Sequence, residues 1–177
     1  MPQKLTIFVL ALYLIFCGLV VSDLIFAQSK EASMKLASTA FSQGQPIPKK
    51  YTCSGENVSP PLAFSQVPAS TQTLALIVDD PDAPGGTFDH WIVWNLPGDT
   101  RELSEGATVS KQGTNGFGTV DYKGPCPPPG KEHRYFFKVY ALDTQLKLSE
   151  GISKRQLEAA MEGHILAQGE LVGTYKR

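Results

Sequence analysis

Proline is the residue that most constrains how this chain can fold. Twelve of the thirteen prolines lie after residue 45, scattered between short apolar runs, and the chain also contains sixteen glycines. Proline fixes φ and lacks a backbone N–H, so this density interrupts helices and favours short strands joined by turns. A parallel α/β sheet would need a helix between most of its strands, and the sequence has one clear helix pattern. We therefore predict a mainly β fold of two packed sheets with one late helix.

Three segments have the composition of strands, namely residues 73–80, 90–96 and 133–142. They are rich in β-branched or aromatic residues and are bounded by turn signals. In the third segment, alternation places Tyr135 on one face and Arg134 on the other. Shorter edge strands are predicted in "KLASTAF" and "KYTC", and the tail "ILAQGELVGTYKR" has a strand-like pattern.

The predicted helix begins after Ser153, which can cap it. Gln156 at the third helical position completes a capping box. Apolar residues then recur at helical spacing as far as Ile165. His164 falls at the end of this pattern, where it would complement the helix dipole, and we assign it no functional role.

The N-terminus predicts export. Lys4 precedes Leu5–Val21, an uncharged apolar stretch of 17 residues. Two roles stay open for residues 1–27: a cleaved signal peptide, or an N-terminal membrane anchor. Residues 28–32 would be a short linker and residues 33–177 the folded domain, located in the periplasm or secreted.

The net charge bears on the possible partners, and the cysteines bear on a possible disulfide. The net charge is -1 and no basic block is present, which argues against nucleic acid as the main partner. Outside the N-terminal segment the chain has two cysteines, Cys53 and Cys126. An oxidising compartment favours a disulfide between them, and two separate buried thiols are the alternative.

Two histidines carry the candidate chemistry. His90 and His133 each open an apolar strand directly after a proline-rich turn. If both strands begin at the same end of the fold, the imidazoles can converge with Asp80 and Tyr135 into a pocket that mainly donates hydrogen bonds. The ligand that such a pocket would bind best is a compact oxyanion such as phosphate. Backbone N–H groups of the turn near Gly124 could add further donors. From spacing alone, however, a histidine at a strand start is more often a boundary residue.

Several motifs together resemble the phosphatidylethanolamine-binding protein family. They are "DDPDAP", "DHWIVWNLP" and "GPCPPPGKEHRYFFKVYALD", supported by "YTCSGENVSPPL" and "GTNGFGTVDYKGPCPP". They occur in the family's order and cover about residues 33–175. The resemblance is closest to the prokaryotic branch, the Raf-kinase-inhibitor-like proteins.

This resemblance implies a Greek-key-like sandwich of two antiparallel sheets with one or a few short helices. It also implies a pocket for phosphate, acetate or a phospholipid headgroup. The implied ligand-binding residues are Asp80, His90, Gly124, His133 and Tyr135. The implied supporting residues are Asp82 with a structural role, Phe88 as a wall of the mouth, Pro127 in the rim, and Arg134 facing away from Tyr135 to pair with an acid.

We expect a binding module that modulates a partner, for which the family offers kinase regulation and protease inhibition as precedents. Because export would place the protein outside the cytoplasm, we expect a secreted hydrolase or a lipid headgroup as its binding partner rather than a cytosolic kinase. The alternative is a phosphoesterase that uses a histidine as base, although the chain has no G-x-S-x-G motif and no P-loop. A metal site of Asp80, His90 and His133 would depend entirely on convergence, and we expect neither a metal nor a cofactor.

Overall fold

The computed structural model describes residues 32–177. The predicted signal peptide or anchor, 1–27, and all but the last residue of the predicted linker lie outside the described residues. The elements in chain order are β1 (Ala32–Ser33), β2 (Lys35–Ala37), β3 (Leu62–Ser65), β4 (Thr73–Asp80), β5 (Phe88–Pro97), β6 (Glu102–Leu103), β7 (His133–Leu142), α1 (Lys154–Met161) and β8 (Ile165–Tyr175).

These strands form two sheets. The larger has the order β1-β8-β7-β4-β5, and the smaller has the order β2-β3-β6. Neighbouring strands are antiparallel except for the two-residue β1, which runs parallel to β8. The predicted mainly β fold with two antiparallel sheets and one helix is confirmed. Among the described prolines only Pro97 belongs to a strand, as the last residue of β5, because proline cannot donate to the ladder.

Strand β4 lies at the centre of the large sheet and is buried along its whole length. On its inner face Leu74, Leu76 and Val78 belong to the core shared with the small sheet. On its outer face Ala75 and Ile77 belong to a second core that includes the apolar residues of α1. Because both faces of β4 are packed against other elements, its sequence is a continuous apolar run and does not alternate between apolar and polar residues.

An ion-pair cluster holds the helix against the outer face of the sheet. The ammonium of Lys154, in the first turn of α1, lies 3.1 Å from Asp79 Oδ2 and 2.7 Å from Asp89 Oδ1. The predicted capping box of Ser153 and Gln156 is present. Within residues 32–177, no helix is both long and apolar enough to cross a membrane.

The predicted helix end is wrong. The helix ends at Met161 because Gly163 adopts a left-handed φ of +79°, a common way to terminate a helix. His164 follows this turn and its Nδ1 lies 2.8 Å from Asp143 Oδ1. Ile165 does not belong to the helix and opens β8.

The edge strands were only partly predicted. Of "KLASTAF", Lys35–Ala37 forms the short strand β2. The segment "KYTC" is not a strand, because Lys49–Tyr51 forms a single 3-10 turn. The Thr52 hydroxyl closes this turn by donating to the carbonyl of Lys49 at 2.8 Å.

Candidate functional site

A hollow of about 210 Å³ opens where β4 ends and where β5 and β7 begin. Its lining residues are Asp80, Ala83, Pro84, Phe88, His90, Phe117, Cys126, Pro127, Pro128 and His133. The sequence prediction that both histidines and Asp80 converge at one end of the fold agrees with this geometry. The polar groups lie on the strands, and the walls are formed by Phe88 of β5 and by apolar side chains of the surrounding loops.

A β-bulge turns His90 into this hollow. Val78 pairs with Trp91, but the next residue of β4, Asp79, pairs with Asp89. His90 is therefore the extra residue of β5, and it faces inward together with Trp91. Without the bulge, strict alternation from the buried Trp91 would direct His90 to the outer face. Bulges next to functional sites commonly re-aim a side chain in this way.

The fold fixes the His90 ring through its Nδ1 atom. Nδ1 lies 2.7 Å from the backbone carbonyl of Lys123, and a carbonyl can only accept, so Nδ1 carries the proton. The ring is 2% exposed, and burial lowers the pKa of His90. Burial thus favours the neutral ring, in which Nε2 is an acceptor.

The second imidazole is fixed in the same way by a carboxylate. His133 Nδ1 lies 2.8 Å from Asp80 Oδ2, and both side chains are almost fully buried. The other oxygen of Asp80 accepts the backbone N–H of Asp82 at 2.8 Å. Such a carboxylate sets the tautomer and the orientation of the ring, leaving Nε2 for a ligand. The expected donor character of the pocket stays a prediction, because donation by either ring requires a proton on Nε2.

Tyr135 lies beneath the hollow and does not line it. The side chain is fully buried, and its ring packs edge-on against His90 with centroids 5.2 Å apart. Among the described residues, its hydroxyl has no hydrogen-bond partner. Burial, together with the negative charge of Asp80, raises the pKa of Tyr135. Its predicted role as a direct ligand contact stays a prediction.

The family model described as phosphatidylethanolamine-binding protein matches residues 37–176. The chain belongs to the phosphatidylethanolamine-binding protein family. A UPF0098 protein of Chlamydia muridarum is 53% identical over 150 residues, which is 81% of this chain and 99% of the relative. A UPF0098 protein of Methanothermobacter thermautotrophicus is 48% identical over 151 residues, with 81% and 99% covered.

Solved structures of the family have the same fold. A putative phosphatidylethanolamine-binding protein homologue of Chlamydia trachomatis is 50% identical with a TM-score of 0.79, covering 82% of this chain and 98% of that chain. YbcL of Escherichia coli, described as a new member of the mammalian family, is 32% identical with a TM-score of 0.76, covering 82% and 99%. These bacterial and archaeal relatives agree with the predicted prokaryotic branch.

The remaining residues expected from the family have structural contacts. The N–H of Gly124 donates to Asn57 Oδ1 at 2.8 Å, so it is not free for a ligand. A Cβ at Gly124 would collide with the carbonyl of Tyr51. Gly124 does not line the hollow. Its position therefore requires glycine for close backbone approach, and ligand binding by Gly124 stays a prediction.

Asp82 and Arg134 form an ion pair outside the hollow. The guanidinium donates through Nε at 2.9 Å and Nη2 at 2.8 Å to the two carboxylate oxygens. These bonds hold the pKa of Asp82 well below its usual range. Arg134 faces away from Tyr135, as predicted, and the pair fastens the turn after β4 to the start of β7.

The predicted disulfide joins Cys53 and Cys126, whose Cα atoms are 5.4 Å apart. The bond attaches the proline loop to the segment that follows the 3-10 turn. Cys126 and Pro127 both line the hollow, so the disulfide holds one side of its rim.

The sequence analysis did not assign Phe117, which forms the opposite wall. Its ring lies 4.8 Å from that of Phe88 and 5.8 Å from that of His90, centroid to centroid. The buried Asn115 shapes this loop by accepting the N–H groups of Phe117 and Thr119 at 2.9 and 3.1 Å. The segment "NGFG" was visible as a motif, but its spacing did not show which way the aromatic ring points.

Proposed function

We propose that this protein is a binding module that takes an oxyanion, either a free phosphate or the phosphate of a phospholipid headgroup, in the hollow between His90 and His133. The single observation that supports this proposal is the convergence of two oriented imidazoles in one small hollow. In the imidazolium form each Nε2–H can donate to an oxygen of the ligand. The loops around the ligand supply apolar walls, as in most small-molecule sites.

A nuclear magnetic resonance titration tests the proposal. Inorganic phosphate and phosphorylethanolamine should each shift the ring resonances of His90 and His133 saturably, without turnover. His90→Ala should remove most of the affinity, because it deletes one of the two donors. His164→Ala is the matched control, since His164 lies outside the site and should leave the affinity unchanged. A wild-type spectrum that is unaffected by either ligand would contradict the proposal.

We further propose that ligand binding modulates a partner protein outside the cytoplasm, with a secreted hydrolase a better candidate than a kinase. The support is the apolar N-terminal stretch after Lys4, which favours export. Fractionation of cells that produce a C-terminally tagged chain tests the compartment. Recovery of the tag in the periplasm, the medium or the membrane supports export, and recovery in the cytosol contradicts it.

A phosphoesterase is the second candidate function. The Asp80–His133 pair favours it, because a buried carboxylate that orients an imidazole is the arrangement of a general base. Among the described lining residues, the one side chain of the Ser, Thr or Cys type is Cys126, which is held in the disulfide. In this candidate a histidine therefore acts as base and activates water as the nucleophile. Hydrolysis of p-nitrophenyl phosphate that is lost in His133→Ala would favour this candidate over simple binding.

A further inference from the structure

Arg177 places a positive charge at the rim of the hollow, and the motifs around the two histidines did not point to it. We propose that the Arg177 guanidinium is a further ligand-binding group of this site, which donates to the oxygens of a bound oxyanion that face the rim. This inference rests on the proposed function and adds to it the residue that supplies a permanent positive charge.

The backbone places Arg177 at the end of the fold where the hollow opens. Tyr175, the last residue of β8, is paired with His133, the first residue of β7. The chain then continues past His133 toward the proline loop. There the carbonyl of Arg177 accepts the N–H of Gly130 at 3.2 Å. This bond holds the backbone of Arg177 beside the loop that forms one side of the rim.

The side chain of Arg177 reaches the disulfide of the rim. Its Nη1 atom lies 3.5 Å from Cys126 Sγ and 4.0 Å from Cys53 Sγ. Because Cys126 lines the hollow, the guanidinium lies next to the space that a ligand would fill. Sulfur is an uncharged and weak acceptor, whereas a guanidinium has several N–H donors. Within residues 32–177 the side chain of Arg177 has no other hydrogen-bond partner, so most of its donors are left for a ligand.

The charge of Arg177 is not matched by a carboxylate. Within the described part of the chain, no carboxylate oxygen lies within 4.0 Å of its guanidinium. Two other cations around the hollow are paired, Arg134 with Asp82 and Lys123 with Asp121, each at 2.8 Å. Arg177 therefore keeps a charge that an incoming anion can use.

Lys131 follows the proline loop and is a further cation of this region, but its charge acts on Asp82. Hydrogen bonds from Arg134 and, to a smaller extent, the charge of Lys131 hold the pKa of Asp82 well below its usual range. The Lys131 charge is thus already offset by a carboxylate outside the hollow. This leaves Arg177 as the better candidate for a contact with the ligand.

An anion in the hollow needs such a cation. The carboxylate of Asp80 lines the hollow, and a carboxylate repels an anionic ligand. A guanidinium stays charged over the whole working pH range, so Arg177 offsets this repulsion whatever the charge of the two histidines. Phosphates, phosphodiesters and carboxylates each have more than one oxygen. One oxygen can therefore face the histidines while another accepts from the fork of the guanidinium.

Isothermal titration calorimetry with two phosphates tests this inference. Inorganic phosphate represents the free ligand, and glycerophosphoethanolamine carries the headgroup phosphodiester without acyl chains. Arg177→Gln should weaken the binding of each phosphate that the wild type binds by about five- to tenfold, because a charge-assisted hydrogen bond is lost at an exposed rim. Weakening with the diester supports the inference for a lipid headgroup, and weakening with inorganic phosphate alone supports it for free phosphate.

Two further variants separate a contact from a general effect of charge. Lys176→Gln is the matched control, since it removes the same charge from the neighbouring exposed residue and should change the affinity by less than about twofold. Arg177→Lys keeps the charge but loses the fork, so its affinity should lie between those of the wild type and Arg177→Gln. Added potassium chloride should weaken wild-type binding more than binding by Arg177→Gln. Equal thermal unfolding midpoints of the two Gln variants would show that the rim is intact.

The outcomes distinguish this inference from the proposed function. If Arg177→Gln binds phosphate as the wild type does, or if Lys176→Gln is weakened equally, the contact with Arg177 is wrong while the oxyanion site stands. Equal affinities of Arg177→Lys and Arg177→Gln would also contradict the contact. If the wild type binds neither phosphate, the proposed function itself is wrong, and this inference fails with it.

Discussion

At the scale of single residues, each of the two histidines that line the hollow binds the fold through Nδ1 and leaves Nε2 for the proposed ligand. His90 uses a backbone carbonyl and His133 uses Asp80. The fastening atoms are buried, so they also contribute to stability. Each residue therefore has two roles, and substitutions can separate them.

The buried pair of His133 and Asp80 should matter more for stability than an exposed pair of the same length. His133→Ala leaves the Asp80 carboxylate buried without this partner and should lower the free energy of unfolding by about 2–4 kcal/mol. The control is His164→Ala. His164 lies 2.8 Å from Asp143, but both side chains are nearly half exposed, so the loss should be below about 1 kcal/mol. Urea unfolding measures both, and equal losses would contradict the argument.

The wall residue Phe88 leaves no room for a side chain at Gly116. A Cβ there would lie 2.5 Å from Phe88 Cζ and 2.7 Å from two further ring atoms. Gly116→Ala should therefore displace the Phe88 ring and lower the free energy of unfolding by about 1–3 kcal/mol. Displacement would appear in ring-current shifts of His90. Gly85→Ala, where nothing lies within 4 Å, should change stability by less than about 1 kcal/mol; a similar loss in both variants would refute the steric explanation.

At the scale of elements, the sequence predicted the strands that have strong patterns. The bounds of β4 and β7 agree with prediction because their apolar runs end at charged or proline-rich turns. Strand β5 begins at Phe88, two residues before the predicted start, because "FD" carries no alternation that marks a strand. The 3-10 turn at Lys49–Tyr51 was missed because aromatic and β-branched residues in "KYTC" favour strands locally, whereas tertiary contacts decide the conformation.

The sequence predicted which residues contribute to the site, but not how each of them is oriented or buried. Sequence motifs identified both histidines, since each follows a proline-rich turn, and Asp80, since it precedes one. They could not reveal the bulge that reverses the direction of His90, because a bulge leaves no period in the sequence. The motifs also could not show that Tyr135 lies below the hollow or that the Gly124 N–H donates to Asn57. Both features depend on how distant segments pack.

The disulfide is the element-scale feature that can be tested directly. It closes a segment with a sequence separation of 73, so removing it should lower the free energy of unfolding by up to about 4 kcal/mol in the chain-entropy model. The double variant Cys53→Ser, Cys126→Ser measures this loss by urea unfolding. Wild-type protein unfolded with a reducing agent is the control and should match the variant. A loss below about 1 kcal/mol would show that the rim is held by other contacts.

At the scale of the whole molecule, the buried histidine couples the pocket to global stability. Burial lowers the pKa of His90 in the folded state, whereas the unfolded chain has the ordinary value of about 6.5. Below that pH the unfolded chain binds a proton that the folded chain does not, which favours unfolding. Ligand-free protein should therefore lose stability as pH falls from about 6.5 toward the lower pKa of the folded state.

An oxyanion that requires a protonated His90 should oppose this loss, because a ligand that binds only the folded state stabilises it. Thermal unfolding between pH 7.5 and 5 tests both statements. As the pH is lowered in a non-binding buffer, the midpoint temperature of unfolding should decrease. The decrease should be smaller when sulfate replaces chloride at equal ionic strength. In His90→Gln the midpoint temperature should decrease less steeply with decreasing pH than in the wild type, since one titrating group is gone. His164→Gln is the control and measures the contribution of an exposed histidine. If His90→Gln and the wild type lose stability with the same slope, His90 does not link the pocket to the stability of the fold.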